Sequence, residues 1–345
     1  MMTEIKFNKD IKRILVTGGA GYVGSVLVPN LVRAGYAVTV LDMFWFWNSV
    51  EEYATTLGIE SNTQLILVKG DLRNTSDVLR ALQGVDTVIH LACISNDPSS
   101  DLNRDFTHAV NYDGSLNVID LSKAYGVTRF IYASSSSVYG VKSEPKVTED
   151  LVLEPLTQYS QLKVEIEHYL LHRLDDTFQG VIIRPSTVCG YSPRQRLDVV
   201  VNILTNLAFN KGKITLFGGD QLRPNIHITD MVNLYEFLLQ VPIENINRRV
   251  YNVGDENLTV TQIAELVREV VGKVDVEVKE TNDPRSYRVC SDKIKEEIGF
   301  MSTHTVREAI VDLVKAFKEG KLPTVDEEKY VNMKRMKRLL ERGDA

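Results

Sequence analysis

A chain of 345 residues, 43% apolar and 25% charged, is long enough for two domains or for one large α/β domain with an elaborated lobe. Its 46 acidic against 40 basic residues give a formal net charge of -6, which supplies no general attraction toward nucleic acid or an anionic membrane. Any anionic ligand must therefore be held by local groups. Cys93, Cys189 and Cys290 are odd in number and far apart, which argues against a disulfide framework, and none sits in a metal-binding setting. The opening MMTEIKFNKDIKR lacks the apolar core of a signal peptide, and no window approaches the ~18–20 apolar residues of a membrane span. A cytoplasmic protein is expected.

The first half alternates short apolar runs with helix-length segments. The runs are RILVTG (13–18), AVTVLD (37–42), LILVKGD (65–71), TVIHLA (87–92), RFIYAS (129–134) and GVIIRPS (180–186). Each is continuously apolar, the pattern of strands buried on both faces, and the strand-helix order predicts a Rossmann-type, doubly wound parallel α/β sheet. Beyond Pro185 the rhythm loosens. A helix near 197–211, an ITLFGG strand, a return to the sheet at RVYNVG (249–254), and helices near 260–272 and 305–318 predict a smaller, interleaved C-terminal substrate lobe. The domain boundaries expected are 12–186 for the dinucleotide-binding domain, with a return of the chain at about 223–256, and 187–222 with 257–320 for the lobe. Residues 321–345 read as a charged helix whose basic patch is a solvated face.

ILVTGGAGYVG places Gly18, Gly21 and Gly24 between the first strand and the first helix, where glycine permits a tight turn and close approach to a pyrophosphate at the helix N-terminus. The second strand ends at Asp42, whose carboxylate accepts both hydroxyls of an adenosine ribose and repels a 2′-phosphate. With no arginine in the glycine loop or just after Asp42, the cofactor is read as NAD(H) rather than NADP(H). The aromatic MFWFWNS (43–49) that follows is read as packing.

FIYASSSSVYG (130–140) ends a buried strand in four serines, by itself the mark of a turn. Further on, QYSQLKVEIEHYL sets Tyr159 and Lys163 four apart at the start of a helix, hence on one face. A cation beside a phenol favours the phenolate, which makes Tyr159 a candidate proton acceptor. Tyr139 has Ser143 rather than lysine four residues on and is read as structural or substrate-lining.

With TGGAGYVG, Asp42, GDLR, VIHLA, Asn111 in VNYDGSLNVID, SSSSVYG, YSQLK, RPSTVCG and QLRPNIHITD in hand, the chain resembles the extended short-chain dehydrogenase/reductase family, in its nucleotide-sugar epimerase and dehydratase group, over roughly residues 12–300. The resemblance implies that Ser135, Tyr159 and Lys163 are the catalytic set, Ser135 orienting a sugar hydroxyl. It implies cofactor contacts from Tyr22, Val23, Asp71, Leu72, Ala92 and Pro185 in addition to the glycines and Asp42. Ser136, Ser137, Arg223 and Arg288 are implied on the substrate side, Arg223 toward a diphosphate, with Arg285 a further candidate. YSPRQRLD (191–198) resembles the family's nucleotide-lobe loop, while Cys93 and Cys189 depart from its pattern.

Dehydratases and decarboxylases of this group carry an acidic residue one or two places after the catalytic hydroxyl, and here those places hold Ser136 and Ser137. Elimination is therefore disfavoured, and reversible oxidation at C4 of a sugar nucleotide remains: 4-epimerisation through a 4-keto sugar or, from the same triad, net dehydrogenation or ketoreduction. A non-catalytic dinucleotide-binding protein is the reading from another class. The resemblance also implies a homodimer formed through helices near 102–125 and 157–173, with Leu116, Ile119, Ile166 and Leu170 as its apolar positions. No metal, nucleic acid or membrane partner is expected.

Overall fold

All six apolar runs become strands of one sheet, and RVYNVG adds a seventh, in the order β10-β6-β5-β4-β1-β2-β3. Every pairing in it is parallel. The computed structural model describes residues 8–60, 62–254, 256–280, 286–322 and 327–344. In chain order the first half runs β1 (Arg13–Thr17), α1 (Gly24–Arg33), β2 (Ala37–Asp42), α2 (Val50–Leu57), β3 (Leu65–Lys69), α3 (Thr75–Ala81), β4 (Thr87–His90), α4 (Asp97–Ser100) and α5 (Arg104–His108). A π-helical turn, Ala109–Asp113, leads into α6 (Gly114–Ala124), β5 (Arg129–Ala133), α7 (Gln158–Arg173) and β6 (Gln179–Pro185). The remainder is β7 (Thr187–Cys189), α8 (Val200–Lys211), β8 (Lys213–Phe217), β9 (Leu222–His227), α9 (Ile228–Gln240), α10 (Ile243–Ile246), β10 (Arg249–Val253), β11 (Glu256–Thr259), α11 (Val260–Val271), β12 (Asp275–Lys279), α12 (Asp292–Ile298), α13 (Val306–Lys318) and α14 (Asn332–Arg342).

Alternation along each strand feeds two layers. Ile14 and Val16 of β1 join the core that holds Leu27 and Leu31 of α1 and Leu234 and Leu238 of α9, whereas Leu15 joins Val78, Val118 and Ile166 of α3, α6 and α7 on the other face. The lobe has its own core, in which Val201, Ile263 and Ile310 bring α8, α11 and α13 over β8. Among the described residues, two small sheets lie apart from the main one: β11-β9-β7, which holds Arg223, and the pair β12-β8, whose β8 is the ITLFGG strand. Among the described residues no helix is long and apolar enough to cross a membrane, and no group of three or more His, Cys, Asp or Glu side chains is placed to hold a metal.

Residues 321–345 were expected to form a helix with a solvated basic face. The helix is α14, and only its outer face is solvated: Met336 and Leu339 are buried against Ile94, Val110, Trp45 and Phe106. Its N-terminal residue, Asn332, is 5% exposed and ties it to three other segments, as described below.

Candidate active site

The chain leaves β1 for β2 on one side, while β4 lies on the other, so a crevice opens at the carboxyl ends of β1 and β4. The glycine loop occupies it. Gly18 takes φ 70°, and a Cβ there would lie 2.7 Å from the backbone of Ala92; one on Gly24 would lie 2.5 Å from the carbonyl oxygen of Gly19. No side chain caps α1 at Val23, which leaves N–H groups at that helix end for a phosphate. Asp42 ends β2 beside the loop. Its Oδ2 accepts from the Ala20 N–H at 3.0 Å and its Oδ1 from the Phe44 N–H at 2.7 Å, with lone pairs left on both oxygens for ribose hydroxyls. These residues fit a dinucleotide: a cradle that side chains would fill, an open helix end, and a carboxylate at the strand end.

The cleft so formed is also lined by Gly21, Tyr22, Asp71, Leu72, Ala92, Ser135, Ser136, Ser137, Tyr159, Lys163, Pro185 and Arg223. Arg288 is not among them: its side chain is exposed, and its carbonyl accepts from the Val147 N–H at 2.8 Å. The neighbour, Tyr287, does line the cleft and meets Ser136 Oγ at 3.4 Å. Arg285 lies outside the described residues.

The serine run is both a turn and a binding edge. Ser135 Oγ accepts from the Ser137 N–H at 3.1 Å, capping a 3-10 turn over Ser136–Tyr139, and shares a hydrogen bond of 2.8 Å with Ser137 Oγ. Ser134 turns inward instead, donating to the carboxylate of Glu167. Opposite the run, a capping box at Thr157 and Ser160 starts α7, placing Tyr159 in its first turn and Lys163 one turn on. Lys163 is 4% exposed, donates to the Ala133 carbonyl at 2.6 Å, and lies 5.8 Å from the Tyr159 ring centroid.

Burial dominates the electrostatics of Tyr159. Desolvation pushes its phenol well above the ordinary range, and Cys93 and Asp97 add to this, while Arg196 and a hydrogen bond with Ser135 pull it down. Arg196 is the cation with the largest pull on the phenol, and Lys163 stands close by on the same helix face. Tyr139, by contrast, is fully buried outside the cleft, donating to Asn252 Oδ1 at 2.7 Å and accepting from Arg184 Nη1 at 2.8 Å, and is structural.

Several lining residues were not assigned from the sequence. Arg196 donates from Nε to Asp198 Oδ1 at 2.9 Å; Asp198 Oδ2 also accepts from Asn96 Nδ2 at 3.1 Å and from the Asn332 N–H at 3.0 Å. The aromatic segment divides. Phe44 and Trp47 pack edge-on against Tyr53, at 5.3 and 5.4 Å between centroids, as expected of packing residues, but Trp45 and Phe46 line the cleft. Asn111, on the π-turn, accepts from the Ile94 N–H at 2.7 Å and donates to the Ile94 carbonyl at 3.0 Å, fixing the loop after β4. The available signal was YSPRQRLD: two arginines in one loop of an acidic chain that needs local cations.

Comparison with known proteins places these features in one family. The NAD dependent epimerase/dehydratase family matches residues 14–254. The UDP-glucose 4-epimerase of Corynebacterium glutamicum is 26% identical over 324 residues, 88% of this chain and 95% of that protein. The dTDP-glucose 4,6-dehydratase of Streptomyces griseus is 28% identical over 302 residues, 83% of this chain and 88% of that protein. Among solved structures, UDP-glucuronic acid 4-epimerase from Bacillus cereus, in complex with UDP-glucuronic acid and NAD, superposes with a TM-score of 0.79 at 28% identity, covering 89% of this chain and 99% of that one.

Proposed function

The chain belongs to the NAD dependent epimerase/dehydratase family, and from that premise we propose that it is a nucleotide-sugar 4-epimerase. The family's chemistry makes it an NAD-dependent enzyme acting on a nucleotide sugar; the choice of reaction within that class rests on one observation. Ser135, Tyr159 and Lys163 face the cleft together, and the two residues that follow Ser135 are Ser136 and Ser137, which carry no carboxylate for an elimination. The carboxylates on that side are engaged: Asp97 accepts from Thr157 Oγ1 at 2.7 Å, and Asp198 is held by Arg196, Asn96 and Asn332.

Tyr159, once ionised to the phenolate, takes the proton of the C4 hydroxyl, and Ser135 holds that oxygen in place. Bound NAD supplies the hydride acceptor. Gly18, Gly21, Gly24, Tyr22 and Val23 would hold its pyrophosphate, Asp42 its adenosine ribose, Asp71 and Leu72 its adenine, and Ala92, Pro185 and Lys163 its nicotinamide half. Arg223, on β9, is the proposed partner of the substrate's diphosphate, where a planar bidentate donor suits. After the 4-keto sugar has turned, Tyr159 would return the proton to the C4 oxygen as the carbon regains its hydride on the other face.

Incubating the purified protein with a panel of sugar nucleotides and following products by NMR tests the reading. Interconversion of a C4 epimer pair without accumulating NADH is expected. Stoichiometric NADH would identify a dehydrogenase, a dehydrated or decarboxylated product would identify the other branch of the family, and binding without turnover would remove the enzyme reading.

A further inference from the structure

Arg194 is a buried cation that the catalytic scheme leaves unused. It is 4% exposed, lies in the loop between β7 and α8, and lines the same cleft as the glycine loop. Its guanidinium carbon stands 3.5 Å from the centroid of Phe46. Nη2 donates to Asn332 Oδ1 at 2.6 Å and Nη1 to the Gln195 carbonyl at 3.4 Å, while Nε is buried with no hydrogen-bond partner. Of the other buried cations, Lys163 and Arg129 donate to backbone carbonyls, at Ala133 and at Leu238 and Val241, and Arg184 pairs with the carboxylate of Glu167 at 2.6 Å; the neighbouring, less buried Arg196 pairs with Asp198 at 2.9 Å. Arg194 forms no such pair among the described residues. Desolvation pulls its pKa down to about 9, with Arg196 adding to the fall, against the attraction of Asp198, Asp42 and Tyr22.

An unpaired buried charge is unfavourable unless a ligand completes it. The surroundings identify the ligand's end of the cleft. The Arg194 loop is fastened to the glycine loop: Tyr22 Oη donates to the Gly190 carbonyl at 2.6 Å, and Ser192 Oγ donates to the Tyr22 carbonyl at 2.7 Å. Phe46 and Asp42 belong to the adenosine side, where Asp42 opposes a 2′-phosphate. Arg223 is already proposed for the substrate's diphosphate, and Arg196 is held by Asp198.

We propose that Arg194 binds the cofactor, its guanidinium pairing with the NAD pyrophosphate from the side opposite the phosphate-cradling helix end, and that Asn332 of α14 positions it. The inference rests on the NAD reading above and adds a cofactor contact from outside the glycine loop. It also gives α14 a role: Asn332 joins Arg194 to Ser95 Oγ, at 3.0 Å from Nδ2, and to Asp198, so the C-terminal helix is part of the cofactor site.

Arg194→Met keeps an extended side chain against Phe46 and removes the charge. In the full-length variant, NAD and ADP should each bind about tenfold to hundredfold more weakly, the usual worth of a hydrogen-bonded charge, while adenosine and UDP bind as in the wild type. The ligand-free melting temperature should hold or rise, because a desolvated charge has gone; a structural arginine would lower it. Arg194→Lys should recover part of the NAD affinity, and that recovery decides the matter if Arg194→Met is poorly folded. Unchanged NAD affinity in Arg194→Met overturns the proposal. So does an equal loss for adenosine, which would make Arg194 a packing residue, or a loss confined to UDP, which would assign it to the substrate's diphosphate. Asn332→Ala should lower NAD affinity by a smaller factor, and full affinity in that variant would remove α14 from the site. Wild-type protein that binds no NAD would instead refute the cofactor reading itself.

Discussion

At Tyr159 burial holds the proton on the phenol, while Arg196 and the hydrogen bond with Ser135 draw it off. Tyr159→Phe removes one oxygen from a well-packed helix, so fold and NAD binding should survive while turnover falls by about two to four orders of magnitude, the range for loss of general acid–base catalysis. Tyr139→Phe is the control. It leaves Arg184 Nη1 and Asn252 Oδ1 without their phenol partner, so it should cost ~1–3 kcal/mol of stability with a smaller effect on turnover. Steady-state rates of the two variants check this, and a larger loss at Tyr139 would mean the proton-transfer group has been misplaced. Arg196→Gln removes the cation with the largest pull on the phenol. The phenol should then ionise less readily, and the alkaline rise of kcat/KM should move to higher pH; an unshifted profile would separate Arg196 from the chemistry.

At the scale of elements, how much could be read from the sequence follows the strength of the local signal. The buried parallel strands were legible because each is a continuous apolar run, and the catalytic helix because Tyr159 and Lys163 fall one turn apart. The small β11-β9-β7 sheet was not, since LRPNIH and TVC are short and partly polar and take their pairing from tertiary neighbours. Arg194 and Asn332 were illegible for a different reason: their meaning comes from Phe46 and from each other across 138 residues of chain. Glu167, eight residues past Tyr159 on α7, was likewise missed. Its carboxylate accepts from Arg184 Nε at 3.0 Å and Nη2 at 2.6 Å and from Ser134, joining α7 to the ends of β5 and β6 beneath the catalytic set. Glu167→Ala or Arg184→Met alone strands a buried charge and should cost ~3–5 kcal/mol. The double variant should cost less than the sum of the two, measured as unfolding midpoints in a double-mutant cycle. Strict additivity would show that the pair does not act as a unit.

For the whole molecule, a homodimer is a proposal whose apolar basis is narrower than the sequence offered, because Ile119, Ile166 and Leu170 are all in the core between the helices and the sheet. A monomer by light scattering at micromolar concentration would exclude it. The response of the molecule to acid follows from its buried imidazoles. His90, at the end of β4, is fully enclosed between Thr17 Oγ1 at 2.7 Å and Ser115 Oγ at 2.9 Å. Desolvation, helped by the charge of Lys163, holds its pKa down to about 3, and burial with the nearby His304 lowers that of His227 as well. An unfolded histidine titrates near ~6.5. Between the two values the unfolded chain binds more protons than the folded one, so stability rises with pH through this window and is complete above ~6.5. Falling to pH 5 should therefore remove about 2 kcal/mol through His90 alone, at ~1.36 kcal/mol per pH unit. Carboxylates lowered in the fold, such as Asp198, lose their contribution only below ~4, whereas Asp42, Glu149 and Glu236, raised by burial, act in the opposite sense just above that value. The raw pH slope thus mixes signs, and the histidine must be isolated by substitution. His90→Gln retains polar atoms for Thr17 and Ser115 but cannot titrate. Its urea unfolding free energy should start lower at pH 7.5 and then fall less steeply than the wild type's between pH 6.5 and 5. Parallel slopes in the two proteins would show that protonation of His90 does not set the acid limit of this fold.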